Sequence, residues 1–129
     1  MDLNYTTSQI IKAAINIHKE LGPGLFESVY QTCLGIELKE LGLQVTAEVS
    51  LPVYYKGQKV MEDGFRIDLL VEDQIIVELK SVERIQPIHL KQLTTYLRLA
   101  NKPLGLLINF NEVLLKEGIH RIANSCAAG

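Results

Sequence analysis

The stretch Phe65-Arg66-Ile67-Asp68-Leu69-Leu70-Val71-Glu72-Asp73-Gln74-Ile75-Ile76-Val77-Glu78-Leu79-Lys80 decides how this chain folds. Its two ends are apolar runs of strand length, and the polar Glu72-Asp73-Gln74 between them forms a turn, so the segment predicts a β-hairpin. Period-two alternation puts Phe65, Ile67, Leu69 and Val71 on one face of the first strand and Arg66, Asp68 and Leu70 on the other. In the second strand Ile75, Val77 and Leu79 face one way, and Ile76, Glu78 and Lys80 the other. A hairpin symmetric about Asp73 sets Asp68 directly opposite Glu78, with Cβ atoms roughly 5 Å apart.

On the N-terminal side of the hairpin, Leu43, Val45, Ala47, Val49, Leu51 and Val53 alternate with polar residues. This predicts a further strand with one wet face, and Pro52 marks its end or a sheet edge. Lys56-Gly57 separates it from the hairpin. Before it lie two helical patterns. Thr6 and Gln9 have capping-box spacing ahead of the stripe Ile10, Ala14, Ile17 and Leu21, which Gly22-Pro23-Gly24 breaks. A second helix runs from Phe26 to Leu41 on the stripe Tyr30, Leu34, Leu38 and Leu41, with Gly42 as its C-terminal cap.

On the C-terminal side, Pro87 opens a helix that runs to about Leu99 and ends at Asn101-Lys102-Pro103. Leu104 to Phe110 is almost continuously apolar, the mark of a strand buried inside a sheet. Gly118 and Ile119 to Ile122 suit an edge strand. The expected architecture is therefore a single α/β domain, residues 1–122, with a mixed central sheet flanked by helices. Its core order is α-β-β-β-α-β, with an extra N-terminal helix and a tail at 123–129.

The 129 residues and 47% hydrophobic content fit one domain with a real core. A net charge of -2 excludes a broadly basic nucleic-acid binder and leaves only a local surface for such a partner. Cys33 and Cys126 have no metal-finger spacing and read as free thiols, which makes the cytoplasm the expected compartment. Charges interrupt every longer apolar stretch, so no membrane span or signal peptide is expected.

The chemistry rests on Asp68, Glu78 and Lys80. With 15 acidic residues and nine Lys, about one acid-x-Lys match arises by chance, and Glu37-Leu38-Lys39 supplies one. That copy lies in a helix, which splays its side chains around a cylinder, whereas the strand copy points Glu78 and Lys80 the same way. Asp68 and Glu78 could grip one hard cation such as Mg²⁺, with Lys80 orienting or activating an attacking water. A solvated sheet face carrying a Glu-Lys pair explains the same pattern. Glu27 follows the line of the apolar stripe in its helix. It either joins a polar site or sits at the helix end, where its charge favours the dipole. Gln92 and Tyr96 share a helical face with His89 one turn earlier, a face that could address substrate or pack on the sheet. Arg66, on the Asp68 face, could bind phosphate or form an ion pair. His18 flanks the first apolar stripe and reads as a core or boundary residue.

Gly24-Leu25-Phe26-Glu27-Ser28-Val29-Tyr30 resembles the GxxExxY signature, and Glu20-Leu21-Gly22-Pro23-Gly24 resembles the lead-in of the same family. Arg66 to Val71, Val77-Glu78-Leu79-Lys80 and Leu106 to Asn111 extend the likeness over roughly residues 8–124. That family is classed with the PD-(D/E)xK nucleases. The resemblance implies that Asp68, Glu78 and Lys80 hold the signature positions, with Ile67 in place of the nominal proline, and that Glu27 is the helix-borne acid. Gln92-x-x-x-Tyr96 is similar to a motif of RecB-type nucleases, and a histidine such as His18 precedes the acidic helix in some relatives. Two function classes follow. One is a nuclease that acts on nucleic acid, DNA above all, with Mg²⁺ or Mn²⁺ bound by Asp68 and Glu78, Glu27 assisting by metal binding or water positioning, Lys80 serving the water, and Gln92, Tyr96 and Arg66 addressing substrate. The other is a non-cleaving nucleic-acid-binding or assembly module on the same fold. A homodimer or a partner protein is compatible with either.

Overall fold

The hairpin forms in the expected register, with Leu69 opposite Val77, Leu70 opposite Ile76 and Val71 opposite Ile75. Glu72 and Asp73 both take positive φ, 53° and 57°, and Gln74 donates its N–H to Val71 O at 3.0 Å. Positive φ at both central positions matches the turn to the right-handed twist of the strands. The computed structural model describes residues 2–125. Met1 and residues 126–129, with Cys126 and the end of the expected tail, lie outside the described residues.

Among the described residues the elements run α1 (Leu3–Leu21), α2 (Glu27–Glu40), β1 (Val45–Tyr55), β2 (Gln58–Val71), β3 (Ile75–Lys80), α3 (Pro87–Ala100), β4 (Leu104–Asn109) and β5 (Ile119–Ala123). A 3₁₀ turn, Leu115–Gly118, precedes β5. The strands lie in the order β1-β2-β3-β4-β5. Only β3 and β4 pair in parallel, joined through α3, while the other neighbours are antiparallel. The mixed α/β fold expected from the sequence is the one observed. The apolar run of β4 lies inside the sheet as anticipated, and β5 forms one edge. Pro52 is tolerated because β1 is the other edge, where a missing N–H breaks no ladder. Asn124 N–H still reaches Pro103 O at 2.8 Å, just past β5.

Helices cover both faces. Ile10, Ala14 and Ile17 of α1 and Tyr30, Leu34 and Leu38 of α2 pack with Leu69, Val71, Val77, Leu79, Leu106 and Ile108. Leu93, Tyr96 and Leu97 of α3 pack on Leu51, Ile67, Leu70, Ile76 and Leu107. A Cβ at Gly105 would stand 3.0 Å from Leu93 Cγ, so the absent side chain lets α3 settle against β4. No helix is long and apolar enough to cross a membrane among the described residues.

Three local expectations are corrected. Helix α1 starts earlier than the Thr6 and Gln9 spacing implied. Asp2 caps it, its Oδ1 accepting the N–H groups of Asn4 and Tyr5 at 2.9 and 3.2 Å, and Thr6 is buried within the helix. Helix α2 begins one residue past Phe26, which is its N-cap, and ends with Gly42 at φ 81°. There Leu43 N–H bonds Leu38 O and Gly42 N–H bonds Lys39 O, a Schellman closure.

The third correction concerns the strands. Val45 packs on the α1–α2 side whereas Val49 and Leu51 pack under α3; Leu69 and Val71 likewise lie on the first side and Ile67 on the second. Strict alternation cannot produce this change. It falls at Glu48, whose φ is 53°, and at Asp68 opposite it. Because both faces of the sheet are covered by helices, turning the strands over buries Leu51 and Ile67 beneath α3 instead of exposing them.

Candidate metal and nuclease site

The site forms where β2 and β3 part. Their ladder ends at Leu69 and Val77, and the next residues outward are Asp68 and Glu78. Their side chains take over the pairing: Asp68 N–H donates to Glu78 Oε1 at 3.3 Å, and Leu79 N–H donates to Asp68 Oδ2 at 2.8 Å. Each carboxylate is thereby fixed by the backbone of the opposite strand. The two side chains also hydrogen-bond to each other.

Glu78 is only 6% exposed. Burial first, and the neighbouring Asp68 carboxylate second, push its pKa up to about 9, against a smaller opposing pull from the Lys80 ammonium. The same two carboxylates, after burial, raise the pKa of Tyr96 on α3, which keeps the phenol a hydrogen-bond donor facing the pair. Tyr96 is held by a tilted contact with Phe65, ring centroids 5.6 Å apart. Gln92, one turn earlier, is half-buried. His89 is occupied at the start of α3, where its Nδ1 accepts the N–H of Gln86 at 2.9 Å.

Glu27 is the first residue of α2 and is exposed, the helix-end placement that relieves an acid in an apolar stripe. It is not gathered into the pair: among the described residues, no three His, Cys, Asp or Glu side chains are grouped to hold a metal ion. Arg66 takes the structural alternative that its position also allowed. It makes an exposed ion pair with Glu48 at 3.9 Å.

A buried Glu78 held against a half-buried Asp68 fits a hard divalent cation. Mg²⁺ commonly takes one or two carboxylates and retains waters for the rest of its octahedron. Such an ion would favour the ionised Glu78, which burial first and the Asp68 charge second now disfavour.

No local sequence pattern shows what ties down the chain after Lys80. Asn109, paired with Lys80 across β3 and β4, is fully buried. Its Oδ1 accepts Val82 N–H at 3.1 Å and Asn111 N–H at 3.3 Å, while its Nδ2 donates to Val82 O at 2.9 Å and to Glu112 Oε1 at 3.4 Å. Ser81 Oγ donates to Leu25 O at 2.7 Å, and Leu25 N–H donates to the Tyr30 hydroxyl, which itself donates to Gly22 O at 2.6 Å. His18 Nε2 donates to Glu112 O at 2.7 Å, which gives the histidine a structural task. The loop before Glu27 and the chain after Lys80 are thus tied together. One signal was present in the sequence: a lone amide inside an apolar strand must find buried partners. Asn109→Ala strands the Val82 peptide groups and is expected to lower stability by about 2–3 kcal/mol, read from urea denaturation.

A helix-flanked mixed sheet whose parting strands present an Asp, a buried Glu and a Lys is an acid-lysine arrangement. A family model described as the PD-(D/E)XK nuclease superfamily matches residues 4–122, and the chain belongs to that superfamily. This membership points to metal-dependent nuclease activity, a divalent ion and a nucleic-acid substrate. Comparison with curated proteins and with solved structures gives no significant match.

Proposed function

We propose that the protein is a nuclease that hydrolyses phosphodiester bonds, most naturally in DNA, with Mg²⁺ or Mn²⁺ held by Asp68 and Glu78. The observation that supports this most directly is the buried Glu78 held against the Asp68 carboxylate, where a second negative charge is costly without a cation. When bound, the ion supplies Lewis-acid polarisation of the phosphate and a more acidic water. Lys80 orients the attacking water and offsets the negative charge that develops on phosphorus-bound oxygens. The water oxygen forms the new P–O bond, the sugar oxygen leaves, and the water proton ends on that oxygen. Glu27, the first residue of α2 after the loop that Ser81 anchors, is the acid that would assist by metal binding or water positioning. Gln92 and Tyr96 donate hydrogen bonds to substrate from α3. The stretch Gly24 to Tyr30 further supports assignment to the GxxExxY group within the superfamily.

The test is incubation of the purified protein with single- and double-stranded DNA and RNA in the presence of Mg²⁺, Mn²⁺ or EDTA. Degradation of DNA that requires the divalent ion is the expected result. Intact substrates under every ion would reject the reading.

A further inference from the structure

Beyond Asp68 the β1–β2 hairpin continues without β3 beside it, since β3 pairs with β2 only over Leu69–Val71 whereas β1 and β2 pair out to Tyr55 and Gln58. Leu51 and Ile67 are buried at the base of this ribbon, but at its tip Tyr54 is 58% exposed and Tyr55 65%. Lys56 and Lys59 lie over these rings, 5.6 Å from the Tyr55 centroid and 5.7 Å from that of Tyr54. The tip from Tyr54 to Val60 holds two Lys and no acid in a chain of net charge -2. Lys59 also meets Glu62 at 3.4 Å, but that pair is exposed and is readily exchanged for another anion.

We propose that this ribbon is an arm that binds single-stranded DNA. Tyr54 and Tyr55 stack on unpaired bases, and Lys56 and Lys59 meet the backbone phosphates. Exposed aromatic rings interleaved with cations are the chemistry of a single-strand surface, because every base offers a π-face to stack. A duplex would use only the charges. The ribbon is also continuous with the site. Lys59 lies nine residues from Asp68 along the same strand, a span of up to about 30 Å, so a strand held at the tip leads toward the carboxylate pair. The choice of DNA rests on the nuclease reading above.

The experiment measures binding of a fluorescein-labelled oligothymidylate to the full chain in EDTA, so that cleavage does not enter the readout. Wild type is expected to bind with quenching of tyrosine emission. The double variant Tyr54→Ala/Tyr55→Ala should bind at least about tenfold more weakly at unchanged melting temperature. Lys56→Ala/Lys59→Ala should lower the slope of log K against log salt by about 1.4, the value for two phosphate contacts on a single strand. No binding by wild type, or equal binding by the tyrosine variant, overturns the proposal. So does a dimer in sedimentation that the tyrosine variant dissociates, because a second copy would then occupy the ribbon. Failure of the nuclease reading would show separately, as absence of cleavage with the arm still binding.

Discussion

Replacing Glu78 with Gln raises the melting temperature of the metal-free protein near pH 8 by on the order of 10 °C. The unfolded chain releases the Glu78 proton as the pH passes its ordinary value of 4.5, whereas the folded chain keeps it until about 9. Between those values the folded state binds more protons, so stability falls as pH rises, with a slope approaching about 1.4 kcal/mol per pH unit. By pH 8 the loss relative to pH 5 is about 4 kcal/mol. Gln keeps the amide oxygen that accepts Asp68 N–H, so the hydrogen bond survives while the titration disappears. The variant should therefore lack this fall between pH 5 and 9. Mn²⁺ should stabilise wild type increasingly as pH rises, because a metal competes with the proton, and should do little for Glu78→Gln. Superimposable melting curves of the two proteins in EDTA at every pH would show that Glu78 is not held against Asp68.

Much of this site was legible because hairpin register is set by turn length. The polar triplet Glu72-Asp73-Gln74 fixed Asp68 against Glu78, and the ladder at Leu69 to Val71 has that register. The helix-strand order was equally legible, since each element carries a clean period and a breaker. What was not legible is the turning over of β1 and β2 at Glu48 and Asp68. Apolar residues occur on both sides of that point, and alternation alone cannot tell which of two covered faces a residue seeks. The role of Asn109 was hidden differently: its partners, Val82 and Glu112, come from loops whose path no local pattern predicts. Glu27 was readable both as an acid in an apolar stripe and as a first-turn residue, and α2 begins at it.

Lys80→Ala and Asp68→Asn are each expected to reduce divalent-ion-dependent DNA cleavage by at least about a hundredfold, the scale for removing one group that stabilises transition-state charge. The two act by different routes, which a metal titration separates. Asp68→Asn removes one of two anionic ligands, so excess Mn²⁺ should recover part of the activity. Lys80→Ala leaves both carboxylates in place, so added metal should recover none. Neither loss should come from unfolding. Asn retains an oxygen for Leu79 N–H, and Lys80 makes no contact that its truncation would leave as a buried orphan, because its backbone O still receives Phe110 N–H at 2.8 Å. Lys80 also lowers the Glu78 pKa, so its removal should move the pH at which metal binds upward while Asp68→Asn moves it downward. Opposite shifts in the pH profile of Mn²⁺ binding would tie both residues to Glu78 directly. If wild type binds metal and DNA but never cuts, and Lys80→Ala binds equally well, the pocket serves a binding module instead, and the lysine has no substrate to act on.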